Sequence, residues 1–297
     1  MMSKAVKLIL NPYAGRWKAK AHIERLQKTF AKLGQEVDLT VTEAPGHGIV
    51  AAREAAQAGF KKVVACGGDS TVSEVINGLL QAAGDGQAGD LGIIPLGTAN
   101  DLADMLEIPH DLTQACQKII DGRTRVIDVA RVNDRFFGNN SAVGLEPMVT
   151  VEAEKIQTIR GSIRYIVAAL RAIAKGPSWE AHIQWEGGSY KGPVVLVSVG
   201  NSPRTGGAFW MTPQAVLDDG KLDFVFAAPM NRLQLLRLLP MTFSGKHVRH
   251  KAVVYLQTTA LQITMDPTPL QADGEILDLE ATQINFEILP AKLRVIV

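Results

Sequence analysis

The chain has few cysteines: Cys66 and Cys116 are the only two in 297 residues. They lie far apart, neither belongs to a C-x-x-C pair, and no Cys/His cluster has zinc spacing. That argues against a disulfide framework or a zinc fold, and two reduced thiols in a cytoplasmic protein are expected. Long hydrophobic runs are also missing. None approaches the ~18 residues a membrane span needs, and the opening "MMSKAVKLIL" is too short and too strand-like for a signal peptide. Charge of one sign is scarce as well. With 31 Lys+Arg against 30 Asp+Glu the net charge is +1, so no nucleic-acid partner is expected and any electrostatic targeting must be local. Finally, there is no G-x-x-x-x-G-K-[ST] and no G-x-G-x-x-G after the first strand. A bound nucleotide would therefore sit in neither a P-loop nor a dinucleotide fingerprint.

What is present is an ordinary globular composition, 46% hydrophobic and 21% charged, in a length that suits two domains. Residues 1–130 alternate strand-like and helix-like patterns. Strands are expected at 5–10, 36–42, 61–66, 91–96 and 125–133. Helices are expected at 17–33, 48–59, 71–83, 99–106 and 111–121. This is the grammar of a parallel sheet covered by helices on both faces. From 131 to 285 short β-type runs separated by Gly, Asp-Gly or Pro turns dominate, which favours an antiparallel domain. Helical stretches near 152–175 and 231–244 interrupt it.

Three turns at strand ends carry the chemistry. "KKVVACGGDSTVSEV" places Gly67, Gly68 and Asp69 between a strand and a helix. Thr71 and Glu74 fit a capping box, which explains those two residues and leaves the glycines unexplained. Glycines at such a junction let an anion approach free N–H groups, and an aspartate there suits a phosphate carried with a metal ion. "PLGTANDLA" repeats the form with Gly97, Thr98, Asn100 and Asp101, Asn100 being a competent cap. "NPYAG" puts Asn11 and Gly15 after the first strand. Ligands of open α/β sheets bind at these carboxyl ends. Further on, "LDDGKLDF" and "ADGEILDL" each hold an Asp-Gly hairpin turn, which leaves Glu275, close to Asp273, without a turn role.

Together with "TEAPGHG" (42–48), "IDVARVN" (127–133), "GNNSAVGLEP" (138–147), "NSPRTGG" (201–207) and "FEILPAKLRVIV" (286–297), these motifs run in order along nearly the whole chain. The series resembles the bacterial diacylglycerol-kinase-like lipid kinases, a group that includes sphingosine and ceramide kinase catalytic domains. The resemblance implies a phosphofructokinase/NAD-kinase-like α/β domain (1–130, with 286–297 returning to it as a strand). A β-rich lipid-substrate domain (131–285) follows, with the active site in the cleft between them. It implies ATP and Mg2+ as cofactors. Asn11, Gly15, Thr42, the segment Gly67, Gly68, Asp69, Ser70, Thr71 and Glu74, and the segment Gly97, Thr98, Asn100 and Asp101 would bind ATP. Glu275 would take the lipid hydroxyl proton, with Asp69 as the alternative base. Asp219, with the carbonyls of Val216 and Lys221, would form a structural ion site, and Asp69, Asp101 and Asp128 would organise the catalytic magnesium. Where relatives carry GGDGT this chain has Ser70, whose Cβ is expected to crowd the phosphate turn. Arg16 stands where lysine is common, which keeps the charge and changes the geometry.

A lipid substrate implies peripheral membrane association at the inner face of the membrane. In 156–175 the apolar residues Ile156, Ile159, Ile163, Ile166, Val167, Leu170 and Ile173 share one helical arc, beside Arg160, Arg164, Arg171 and Lys175. That pattern suits an anionic surface or, equally, a core-facing helix with a solvated basic side. The stretch 232–251 offers the same choice. The acceptor lipid is open among diacylglycerol, phosphatidylglycerol and a long-chain base, and a homodimer is neither implied nor excluded. Two other functions stand beside lipid kinase: an NAD kinase, which has a similar GGDGT turn, and a lipid- or nucleotide-binding protein without turnover.

Overall fold

The computed structural model describes residues 6–156, 158 and 162–297, apart from the side chains of Arg16 and Ser162. Ile159 and Arg160 of the 156–175 stretch lie outside the described residues. The chain divides into two compact units, Met1–Val129 with Leu289–Val297, and Ala130–Ile288.

In the first unit the elements follow as β1 (Val6–Leu10), α1 (Ala14–Trp17), α2 (Ile23–Lys32), β2 (Val37–Val41), α3 (His47–Gln57), β3 (Lys62–Gly67), α4 (Asp69–Ala83), β4 (Ala88–Pro95), α5 (Asp101–Met105), α6 (Leu112–Asp121) and β5 (Thr124–Val132). The strands pair in the order β4-β3-β1-β2, all parallel, and Leu293–Val295 adds alongside β4. Near-continuous apolar strands such as "VKLIL" are what a sheet buried on both faces requires. On one face Leu8, Leu10, Val64 and Ile94 pack against Leu26 and Phe30 of α2 and against Cys116 and Ile119 of α6. On the other, α3 and α4 approach so closely that a side chain at Gly78 would overlap the carbonyl of Ile49. Cys66 and Cys116 are both buried and reduced. Burial pushes the Cys66 thiol well above its usual range and that of Cys116 up to about 12, so neither is a reactive thiolate.

The helix expected over 17–33 is broken. Trp17 takes a left-handed φ of 72° and is 68% exposed, so the apolar stripe belongs to α2 alone. The chain also reverses direction across the sheet between β2 and β3, so the topological switch falls between β1 and β3. The Asn11 and Gly67 turns leave from those two strands.

The second unit contains β6 (Arg135–Phe137), β7 (Asn140–Gly144), α7 (Leu145–Glu154), α8 (Ser162–Ala174), β8 (Trp179–Trp185), β9 (Gly188–Val194), β10 (Leu196–Gly200), β11 (Leu222–Ala227), α9 (Arg232–Thr242), β12 (Val253–Thr258), β13 (Ala260–Ala272) and, as far as Ile288, β14 (Glu275–Ile296). It is an antiparallel sandwich-like domain. β13 is shared: residues 261–265 pair with β8, residues 270–272 pair with β7, and register shifts lie between. Phe137, Phe224, Phe226, Ile263, Ile284 and Phe286 fill its core. The stretch expected to be helical near 152–175 is two helices, α7 and α8, and α9 starts with a capping box at Asn231 and Gln234.

Candidate functional site

Three turns of the first unit meet at the carboxyl ends of their strands. Backbone bonds tie them together: Asn11 donates to the Cys66 carbonyl at 3.1 Å and Leu96 to the Gly67 carbonyl at 2.8 Å. Asn11 also closes its own turn, its Oδ1 accepting from the Tyr13 amide at 2.9 Å. Contact between the turns is backbone on backbone. A Cβ at Gly15 would stand 2.6 Å from the Leu96 carbonyl oxygen, and one at Gly97 would overlap the Cα of Gly68. Glycine is required there by close approach, which leaves a shallow cradle walled by main chain.

Asp69 holds two of the turns together. Its carboxylate accepts the Asn100 amide at 2.8 Å and the Asp101 amide at 2.6 Å, so it caps α5 from the neighbouring turn. Asn100, expected as that cap, instead adopts a left-handed φ of 51° and turns its Oδ1 back to the Gly97 amide at 3.0 Å. The capping box expected at Thr71 and Glu74 does not form. The N-cap of α4 is Gly68, with no side-chain cap. The Glu74 carboxylate reaches away to the amides of Gly46 and Gly48, at 2.7 and 2.8 Å, and so fixes the loop that follows Thr42. The reason is positional: Thr71 lies inside the first turn of α4, three residues past the cap, so the box is out of register.

These departures leave the mouth of α4 open. The first amide of α4 to bond back is that of Val72, to Gly68, at 3.0 Å. The preceding amides of the helix end have no intrahelical acceptor by geometry and carry the positive end of the dipole. Ser70 and Thr98 are exposed at this end, whereas Thr42 is buried with its amide on the Leu10 carbonyl. Thr71 is buried, and its Oγ1 has no hydrogen-bond partner among the described residues. Ser70 has no positive φ, so its backbone does not require glycine.

In the second unit the Asp-Gly turn before β14 is a two-residue hairpin with left-handed φ at both Asp273 (47°) and Gly274 (80°). Its residues are held one after another. The buried Asp273 carboxylate accepts the amides of Gly138, Asn139 and Asn140 at 3.0, 2.9 and 3.2 Å. Gly274 donates to Gln271 Oε1 at 2.8 Å. Glu275, 44% exposed, forms an ion pair with Arg135 through Oε2. The sequence singles out Glu275 but does not foresee its ion pair with Arg135 or the bonds of Asp273 and Gln271, whose partners lie more than a hundred residues away or across the hairpin. The "GNN" and "DG" pieces were visible, but nothing local joins them.

The expected acidic residues do not form one ligand set. Among the described residues no three His, Cys, Asp or Glu side chains converge in a way that would hold a metal ion. Asp128 is buried with Oδ1 on the Ala291 amide at 2.7 Å, at a residue with a left-handed φ of 51°. Asp219 is exposed and accepts the Lys221 amide at 3.0 Å. An exposed carboxylate is a hard-oxygen donor of the kind Mg2+ takes together with water.

The apolar arc of 156–175 is divided between core and surface. Ile156 and Ile173 are buried, while Ile163, Ile166 and Leu170 are exposed on α8 alongside Arg171. Leu233 and Leu236 of α9 are exposed too, and α8 and α9 share one core cluster through Ile173 and Leu238. Among the described residues, no helix is long and apolar enough to cross a membrane.

Residues 5–132 match the family model of the diacylglycerol kinase catalytic domain, and residues 140–297 match the YegS C-terminal NAD kinase beta sandwich-like domain. The chain is 30% identical over 275 residues to a diacylglycerol kinase of Bacillus subtilis, covering 92% of this chain and 90% of that one. It is 27% identical to a diacylglycerol kinase of Staphylococcus carnosus, covering 92% and 89%. Among solved structures it is similar to a diacylglycerol kinase from Bacillus anthracis, with a TM-score of 0.78 at 24% identity over 100% of this chain and 98% of that one. An NAD kinase from Archaeoglobus fulgidus in complex with ATP shares the fold at a TM-score of 0.54 and 11% identity, covering 98% and 93%.

Proposed function

This chain belongs to the bacterial diacylglycerol kinase family, and on that premise we propose that it is an ATP-dependent lipid kinase. It would move the γ-phosphate to a hydroxyl of a lipid such as diacylglycerol. The observation that carries the nucleotide half of this reading is the cradle at the open end of α4, where Gly68 and Gly97 touch backbone to backbone. Amides and a helix dipole, rather than side chains, would then face the phosphates.

Asn11 and Glu74 shape the rim of the cradle through the Tyr13, Gly46 and Gly48 amides. Asp69 locks its two halves. Both oxygens of that carboxylate are already committed to backbone amides, which favours Glu275 over Asp69 as the group that takes the acceptor's proton. Arg135, paired with Oε2 of Glu275, would orient the carboxylate. Magnesium bound with the nucleotide would neutralise phosphate charge, whereas an ion at Asp219 would be structural.

The lipid would be reached from a membrane surface, on which the exposed apolar residues of α8 and α9 would rest, with the basic residues of α8 beside them. The NAD kinase reading draws support only from a likeness of fold at 11% identity. The test is Glu275→Gln, which keeps the size and removes the basicity. Turnover of dioleoylglycerol in vesicles should fall about 10²-fold or more while calorimetric ATP binding persists. Near-normal turnover would remove Glu275 from the mechanism.

A further inference from the structure

Beneath the Asp273–Gly274 turn lies a buried polar network. Glu146 Oε1 accepts from Asn140 Nδ2 at 3.1 Å and from Gln271 Nε2 at 3.2 Å. Asn140 Nδ2 also donates to Ser198 Oγ at 3.0 Å, and Asn140 Oδ1 accepts from Gln271 Nε2 at 3.0 Å and from Thr205 Oγ1 at 3.0 Å. Gln271 is 3% exposed, Asn140 1% and Ser198 0%. One line leaves the network toward the surface: Gln271 Oε1 to the Gly274 amide at 2.8 Å.

The direction of that line is set by Glu146 together with Asn140. An amide side chain has a donor end and an acceptor end of nearly the same shape, and its neighbours decide which way it faces. With Glu146 Oε1 and Asn140 Oδ1 on one side, only the NH2 of Gln271 can face them. Its oxygen is thereby turned to the Gly274 amide. The opposite flip would put oxygen against oxygen on the buried side and N–H against N–H at the turn.

Holding a carboxylic acid here is costly. Burial pushes the Glu146 pKa up against the help of Asn140, Ser198 and Gln271, and its Oε2 is buried with no partner among the described residues. A leucine would fill the space without that cost, so packing does not explain the residue.

We infer that Glu146 is a positioning residue for Glu275, acting through the flip state of Gln271 and the Gly274 amide. This inference rests on the reading of Glu275 as the base. Glu146→Leu removes one of the two acceptors that orient Gln271 and leaves Asn140 Oδ1 alone to hold its NH2. Losing one such hydrogen bond to the turn corresponds to about tenfold in turnover.

Turnover is measured with ATP·Mg and dioleoylglycerol in phosphatidylglycerol vesicles, and amide exchange at Gly274 is followed by NMR. Glu146→Leu should lower kcat about tenfold with KM for ATP unchanged, and Gly274 should exchange faster while β7 stays protected. Glu146→Gln, which keeps an acceptor, should recover most of the loss. In Glu275→Gln the second change Glu146→Leu should cost nothing more, since the group it positions is already gone. If Glu146→Leu does not fold, Gln271→Met cuts the same line at its next link and carries the same expectations. Unchanged Gly274 exchange, or losses that multiply in the double variant, would overturn the positioning role alone. Wild-type turnover in Glu275→Gln would overturn the base reading and the positioning role with it.

Discussion

Replacing Asp69 by alanine tests how the phosphate cradle is held together. The carboxylate satisfies two amides, at 2.8 Å and 2.6 Å, on residues that are 5% and 3% exposed. A hydrogen bond to a charged group contributes about 1.5–3 kcal/mol net. Asp69 itself is half-buried, so water can reach part of the gap, and the loss should be less than twice that, about 2–4 kcal/mol. Asp69→Asn keeps one acceptor and turns an NH2 toward the other amide, so it should recover less than half. The assay is urea unfolding at pH 7, with ATP·Mg calorimetry on the folded variant. Weakened ATP binding should accompany the lost stability, because Gly68 and Gly97 no longer keep their contact. A variant within about 0.5 kcal/mol of wild type, the range of an ordinary surface change, would refute the tie.

Ser70→Gly should tighten ATP binding, since the Ser70 side chain is exposed at the open end of α4, yet lower stability by up to about 1 kcal/mol through helix propensity; calorimetry and urea unfolding read the two opposite signs. Glu152 on α7 accepts from both Lys155 and Lys175 at 2.8 Å, and these bonds hold its pKa down at about 2. The pair therefore stabilises the native state above the unfolded carboxylate value of about 4.3, and that contribution is lost as the pH falls toward 2. Both lysines are more than half exposed, so Glu152→Gln should cost only about 1–2 kcal/mol at pH 7, and its melting temperature should converge with wild type near pH 2. Exchanging Arg164, Arg171 and Lys175 together for glutamine should reduce sedimentation with anionic liposomes at low salt but leave the salt-resistant part due to Ile163, Ile166 and Leu170; equal sedimentation of the folded variant would move the docking surface elsewhere.

The frame of the first unit was legible because buried parallel strands and glycine turns leave local signatures. "VKLIL" announces a strand covered on both sides, and Gly68 and Gly97 are needed where main chains touch. What was not legible depends on partners far along the chain. Glu74 sits where a capping box with Thr71 would place it, but the helix starts three residues earlier at Gly68, and Glu74 instead holds the distant amides of Gly46 and Gly48. Trp17 has core periodicity, yet its left-handed backbone ends α1 and turns the ring to solvent. The clamp of Asp273 on residues 138–140, and the Glu146 network, join segments more than 120 residues apart. Neither composition nor spacing encodes such pairings.

The identity of the acceptor tests the central claim most directly. Purified protein is given γ-labelled ATP with Mg2+, together with dioleoylglycerol in phosphatidylglycerol vesicles and free NAD in one tube, and the label is followed into the lipid and aqueous phases. A lipid kinase predicts label in the organic phase as a phosphorylated diacylglycerol, lost about 10²-fold or more in Glu275→Gln. Label recovered in the NAD product, or in neither acceptor while ATP still binds, would contradict it.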